Sequence, residues 1–241
     1  MYKEKAEKPL GKRAYGSIPH LPGSRKGPAE KGISGHQAQL VTDAPRDGND
    51  VVICQEKLDG SCCAVLKKDN ELYPMNRVGY PALSSSFELH HNFHDYVTNH
   101  AISFISLLDD NEYCVGEWLQ QAHGTLYHLP HDYFVIFDII KDGSRKSYVE
   151  VSNRCRDEGF PVPYTIINIG EAISIEKALD RFGEFGHHGA QEQIEGAVWR
   201  MERNNKVDFL CKYVRPDKED GKYLPEISGI APVFNTRIGH S

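Results

Sequence analysis

Lys57-Leu58-Asp59-Gly60 follows an apolar, partly β-branched run, Val51-Val52-Ile53-Cys54, and the polar pair Gln55-Glu56. The pattern predicts a strand ending near Lys57, a tight Asp-Gly turn, and a returning strand from Ser61 to Leu66. A lysine at the end of a rigid strand can point its amine into a groove. The amine is inert while protonated, and cationic neighbours in a partly desolvated pocket free it to attack an electrophile. The plain alternative is a surface lysine beside a hairpin turn.

Other ionisable groups sit where their charge is expensive. Tyr113-Cys114-Val115-Gly116-Glu117-Trp118-Leu119 and Tyr133-Phe134-Val135-Ile136-Phe137-Asp138-Ile139-Ile140 read as strands with one acid each. A buried carboxylate needs a cation, hydrogen bonds or a metal. The plain alternative is a strand-end acid facing water. Ile194 to Met201 and Val207 to Val214 read as a hairpin turning at Arg203-Asn204-Asn205, which places Glu195 near Lys212 on the neighbouring strand.

The positioning elements follow from periodicity and breakers. Residues 1–50 read as an N-terminal arm rich in Gly, Pro and charge, with an ordered loop at Ile18 to Arg25 that can offer Arg25 and Lys26 to an anion. Glu71 to Gly79 reads as a strand and turn. A helix opens at Ser84 to Glu88, where Ser85 and Glu88 fit a capping box, and its apolar stripe extends to Leu108. His90, His91 and His94 on it read as surface or packing residues. Ser144 to Glu158 reads as a helix, Tyr164 to Ile169 as a strand, and Ser174 to Phe182 as a short helix stopped by Gly183. Residues 51–215 form the expected core, and 216–241 an irregular wrap, all in a single domain spanning 1–241.

Bulk properties narrow the classes. No apolar run approaches the roughly 20 residues that span a bilayer, and the charged N-terminus is not a secretory signal. The six cysteines lack a Cys-x-x-Cys pair and mostly sit in apolar runs, which argues for free thiols in a reducing, cytoplasmic compartment and against zinc. A net charge of −6 argues against non-specific coating of nucleic acid. It leaves room for a basic groove. Candidates are Lys3, Lys5, Lys8, Lys12, Arg13, Arg25, Lys26 and Lys31, and the later cluster Arg200, Arg203, Lys206, Lys212, Arg215, Lys218 and Lys222. Each cluster reads equally as a solvated face.

In chain order, Lys57-Leu58-Asp59-Gly60, Arg77, Glu117, Phe137-Asp138, Glu195-Gly196 and Lys212 resemble the covalent nucleotidyltransferases: ATP-dependent RNA and DNA ligases and mRNA capping enzymes. Arg77 follows Lys57 by 77 − 57 = 20 residues, and Phe137 follows Glu117 by 137 − 117 = 20, a spacing similar to that of RNA ligases of the compact bacterial and phage type. The resemblance implies an α+β, ATP-grasp-like nucleotidyltransferase domain with antiparallel sheets flanked by helices. It implies ATP as substrate, held as covalent AMP, with Mg²⁺ or Mn²⁺, and RNA with 3′-OH and 5′-phosphate ends as partner. No membrane and no obligate protein partner is implied.

By the same resemblance Lys57 is the nucleophile and Asp59 holds it or contacts a metal-bound water. Gln55, Glu56 and Gly60 lie against the nucleotide. Arg77 grips a phosphate or the acceptor 3′-OH end, Glu117 takes the ribose hydroxyls, and Phe137 stacks on adenine. Glu195, with Glu117, holds the metal or its waters, and Lys212 neutralises the α-phosphate. Arg25, Lys26, Arg77, Arg215 and Lys218 are the expected strand contacts. Two features depart from the pattern. Leu210 stands where many ligases carry the first lysine of a Lys-x-Lys motif, with Lys206 or Lys218 as possible substitutes. The residues after Lys212 also lack the five-strand pattern of an OB-fold. An RNA ligase is therefore the leading reading. A DNA ligase, another nucleotidyltransferase, or a catalytically silent nucleic-acid-binding relative are the alternatives.

Overall fold

A computed structural model describes residues 6–239. Lys3 and Lys5 of the basic N-terminal cluster lie outside them. Along the chain the elements are α1 (Gly35–Thr42), β1 (Asp50–Lys57), β2 (Ser61–Lys68), β3 (Glu71–Asn76), α2 (Glu88–Asn99), α3 (Ala101–Leu107), β4 (Glu112–Trp118), β5 (His128–Leu129), β6 (Phe134–Lys141), β7 (Ser144–Arg145), α4 (Tyr148–Asp157), β8 (Thr165–Ile169), α5 (Ile175–Phe182), β9 (Gly196–Arg203), β10 (Lys206–Val214), α6 (Pro225–Ser228) and β11 (Thr236–Arg237). They fall into two compact units. Unit 1 comprises residues up to 16, 61–120 and 133–162, and unit 2 comprises 17–60, 121–132 and from 163 onward.

Unit 1 is built on a five-stranded sheet in the order β3-β2-β4-β6-β7, antiparallel throughout. Side chains alternate across a strand, and one face buries Cys63, Val65, Cys114, Trp118, Phe134 and Ile136 with Phe93, Tyr96 and Val97 of α2, Phe104 of α3 and Val151 of α4. Trp118 meets Phe93 edge-on at 5.4 Å and donates its indole N–H to the Leu89 carbonyl, 3.1 Å. The ring is thus apolar against the core and satisfied at its polar end.

Unit 2 carries a four-stranded antiparallel sheet in the order β10-β9-β1-β8. Val52, Cys54, Ala197, Trp199, Met201 and Cys211 face a second core with Ala38 and Val41 of α1 and Ala178 and Phe182 of α5. The β9-β10 hairpin forms as expected. Asn204 and Asn205 both take positive φ, 52° and 59°, which suits a two-residue turn. Short β5 and β11 pair in parallel.

Three local expectations fail for identifiable reasons. Lys57-Leu58-Asp59-Gly60 is not a hairpin turn, because β1 pairs with β8 and β9 whereas β2 pairs with β3 and β4. The motif is the connection at which the chain leaves one sheet for the other. The predicted capping box is absent. The helix starts at Glu88 after Phe87, and the Ser85 hydroxyl instead accepts from the Phe87 N–H and contacts His90. Its continuation breaks at His100 into two helices. The helix expected from Ser144 starts only at Tyr148, since Ser144–Arg145 extends the sheet and Ser147 supplies the cap by accepting from the Glu150 N–H.

Candidate active site

Lys57 ends β1 on the face opposite the unit 2 core, in the same row as Gly196 and Val214. Gly196 has φ of 157°, and a Cβ there would collide with the Tyr213 carbonyl oxygen. Only glycine lets the three strand ends approach so closely. Glu195, one residue earlier, turns its carboxylate to the Lys57 amine: Nζ to Oε2 is 2.5 Å. Glu195 is buried, and the Lys57 side chain keeps only 22% of its exposure. Burial holds the Glu195 carboxyl above its ordinary range, the charge of Lys57 opposes this, and the charge of Asp59 reinforces it.

Asp59 is fixed from three directions. Its Oδ2 accepts from the Gly124 N–H at 3.0 Å and from the Thr125 hydroxyl at 3.4 Å, and lies 2.8 Å from Lys218 Nζ. The Asp59 N–H donates to the Tyr127 hydroxyl, 3.1 Å. Lys218 also donates to Thr125 Oγ1. Lys218, Thr125 and Tyr127 are all buried. A Cβ on Gly124 would meet the Glu219 carbonyl and the Asp59 carboxylate. Lys218 therefore belongs beside the lysine motif, and its burial removes it from the exposed strand contacts expected from sequence.

Lys212 lies two rows along from the Glu195 side of the hairpin, paired with Val198. Its Nζ binds Glu30 Oε1 at 2.8 Å. Alternation puts its side chain on the Gln55 face of the sheet. Buried His20 shares the same Glu30 oxygen at 3.1 Å. Burial alone would raise the Glu30 carboxyl, yet hydrogen bonds from Lys212, the Gly27 amide and His20 bring it down to about 2.

Gln55 shares the Lys57 face, with Nε2 3.5 Å from Thr165 Oγ1. Glu56, expected at the nucleotide, alternates to the other face. There Oε2 accepts from the His187 N–H at 2.8 Å, while Oε1 is buried without a hydrogen-bond partner among the described residues. Burial raises its pKa to about 7, with the His187 hydrogen bond opposing.

Unit 1 carries the remaining candidates. Glu117 is half-buried on β4, paired with Cys62 and Val135, away from the aromatic core. The β4-β6 register shifts between Val115 and Gly116, which leaves Phe137 unpaired in a bulge. A bulge re-aims a side chain, and Phe137 is half-exposed between buried Ile136 and Asp138. Tyr15 packs its ring edge against Phe137 at 5.2 Å and donates its hydroxyl to Asp138 at 2.7 Å, and Arg145 adds a 3.0 Å bond to the same oxygen. Asp138 is thus a fully buried, Arg-paired acid and not a strand-end acid facing water. Exposed Arg77 follows β3, donates to the Gly16 carbonyl at 3.0 Å, and accepts at its own carbonyl from the Tyr15 N–H.

The supposed basic groove near the C-terminal end is largely neutralised. Arg200 is buried against Glu202, Arg203 binds Asp47 and Asp50, Lys222 binds Glu192, and Arg215 binds Asp217 and the Ile194 carbonyl. Arg25 is paired with Asp220, and Lys26 is exposed. Sequence reasoning passed over Tyr15, Glu30, His20, Gly124, Thr125 and Tyr127. Only Tyr15 had a signal, an aromatic in a charged, glycine-rich arm.

No curated protein sequence matches this chain. Solved structures of the Naegleria gruberi RNA ligase are similar to it in fold. An apo single-residue variant gives a TM-score of 0.52 at 16% identity and covers 83% of this chain and 59% of that one. A variant with AMP and Mn gives 0.50 at 17% identity, covering 87% and 62%. This chain thus spans about three fifths of the length of those proteins. The RNA ligase family model matches residues 50–214. That span begins at the first residue of β1 and ends at the last residue of β10, so it takes in Lys57, Arg77, Glu117, Phe137, Glu195 and Lys212, and the chain belongs to the RNA ligase family.

Proposed function

We propose that the chain is an ATP-dependent RNA ligase that seals a 3′-OH to a 5′-phosphate through AMP held on Lys57, in RNA repair. The observation that carries this reading is the short contact between a strand-end lysine amine and the buried Glu195 carboxylate, beside a second acid, Asp59, that has its own cation.

Lys57 Nζ attacks the α-phosphorus of ATP, an N–P bond forms, and pyrophosphate leaves. The amine must first lose a proton. The Lys57–Glu195 hydrogen bond offers a route, since a proton passing from Nζ to Oε2 leaves a neutral pair that suits a desolvated site. AMP then passes to the RNA 5′-phosphate, and the 3′-OH displaces AMP to form the phosphodiester. Splitting the reaction through a covalent adduct eases each step. Lys212 balances charge on the α-phosphate, for which Glu30 must share it. Glu117 takes the ribose hydroxyls, Phe137 the adenine face, and Arg77 a phosphate or the 3′-OH end. Gln55 and Gly60 line the nucleotide, and Glu56 acts from behind the strand. Arg25, Lys26 and Arg215 are the strand contacts.

Among the described residues no three His, Cys, Asp or Glu side chains gather to cage a metal. That fits Mg²⁺ or Mn²⁺ held by one or two carboxylates with waters and phosphate oxygens. Glu195, once the proton it takes from Lys57 has passed on to solvent, and Glu117 are the assigned holders. The ion when bound neutralises phosphate charge. No helix among the described residues is long and apolar enough to cross a membrane. All six cysteines are free thiols, which suits a reducing cytoplasm.

Incubation with Mg²⁺ and α-labelled ATP, followed by a denaturing gel, tests the reading. A labelled band absent from Lys57→Ala is expected, and paired nicked RNA and nicked DNA then identify the polymer. Label from GTP alone, or none at all, defeats it.

A further inference from the structure

Lys218 lies outside the 50–214 span that defines the family match, on the segment after β10. A lysine is among the residues least often fully buried, yet this side chain retains 4% of its exposure. Three separate stretches meet here: Lys218 contacts Asp59 from the lysine motif and Thr125 from the loop before β5, and the Gly124 amide of that loop donates to the same Asp59 oxygen. Such a buried charge persists only where it is paired and hydrogen-bonded. Here both conditions are met by one carboxylate and one hydroxyl.

We propose that Lys218 is a positioning residue for AMP transfer: it clamps Asp59 onto the Gly124-Thr125 loop and so fixes the connection that carries the Lys57 amine. The inference rests on the ligase reading above. The connection after β1 has no partner strand to hold it, because β2 belongs to another sheet. Without Lys218, the Asp59 carboxylate keeps only the Gly124 amide and a long hydroxyl contact, and its charge loses its cation near an incoming triphosphate. Displacement of a reacting atom by about 1 Å costs on the order of 10²-fold in rate. Lys218 thus acts through Asp59 and does not itself touch the reacting atoms.

The experiment is single-turnover transfer of label from α-labelled ATP to the full chain, with Lys218→Met, Asp59→Asn and the double variant compared over a range of ATP concentrations. Lys218→Met is expected to slow transfer at saturating ATP by about 30-fold or more, with a smaller change in the half-saturating concentration. The double variant is expected to be no slower than the slower single variant, since both break one clamp. If Lys218→Met fails to fold, Thr125→Val removes the hydroxyl from the clamp while keeping both charges, and a several-fold slowing is expected. Transfer within twofold of wild type in Lys218→Met, or in Thr125→Val where that is the variant read, overturns the role given to Lys218. So do losses that multiply in the double variant. No label on wild-type protein overturns the ligase reading instead.

Discussion

Two buried acids, one within a strand and one just before a strand, make an instructive pair. Asp138 in unit 1 is held by the Tyr15 hydroxyl and by Arg145. Glu195 in unit 2 is held by Lys57. Both are expensive to bury, because a desolvated carboxylate needs a cation, hydrogen bonds or a metal. The partner decides the use. An arginine does not give up its proton in a protein, so its pair with an acid is permanent. A lysine amine can become neutral, and its pair with an acid can pass a proton and expose a nucleophile.

The largest effects should follow from breaking the lysine pair. Lys57→Arg keeps the charge and removes the nucleophile, and labelling should fall at least ~10³-fold, to background on the gel. Glu195→Gln keeps the shape and removes the proton acceptor. Single-turnover labelling should fall about 10²- to 10³-fold, with thermal unfolding moved far less. If Glu195→Gln labels like wild type, the distinction drawn between the two acids fails.

Asp138→Asn should show the reverse pattern. It leaves Arg145 and Tyr15 facing a weaker acceptor in a buried place, and should cost about 2–4 kcal/mol in a denaturant titration. Labelling by the fraction that stays folded should change by no more than about threefold. A large rate loss without a stability loss would place Asp138 with Glu195 and erase the contrast.

A third acid sharpens the comparison because it has no cation partner among the described residues. Glu56 carries a raised pKa of about 7 against an ordinary 4.5, the result of burial. The folded protein therefore binds a proton that the unfolded chain releases above about pH 4.5. The stability linked to that proton is fully present below pH 4.5, declines as pH rises, and is lost above about pH 7. Glu56→Gln carries no such proton. Its stability relative to wild type should climb by about 2–3 kcal/mol between pH 4.5 and pH 8. Unfolding midpoints at several pH values check this, and parallel curves for the two proteins would contradict it.

The sequence announced most strands, since alternating and β-branched runs are local signals. It could not announce which strands pair. Val51 to Lys57 and Ser61 to Lys68 are close along the chain and look like a hairpin, yet they lie in different sheets. The candidate residues were legible where a charge interrupts an apolar run, as at Glu117 and Asp138. Their partners were not. Glu30 for Lys212, Tyr15 for Asp138 and Lys218 for Asp59 come from segments without periodicity, at separations of 182, 123 and 159 positions. Nothing local marks such contacts, because they are fixed by how irregular segments cover a sheet.

The smallest effect tests neighbours on one strand. Phe137 and Asp138 are adjacent, and an unbulged β6 would send them to opposite faces. The bulge at Phe137 instead frees its ring from the ladder while Asp138 turns inward. If the ring stacks on adenine, Phe137→Leu keeps apolar bulk and loses the π face, so the ATP concentration for half-maximal labelling should rise about threefold to tenfold with little change in the maximal rate. Stability should move by about 1 kcal/mol or less, since the residue is half-exposed and its ring contact is the edge of Tyr15. A stability loss as large as that of Asp138→Asn would mean that the bulge serves the core of unit 1, and that the strand's two residues share one structural role.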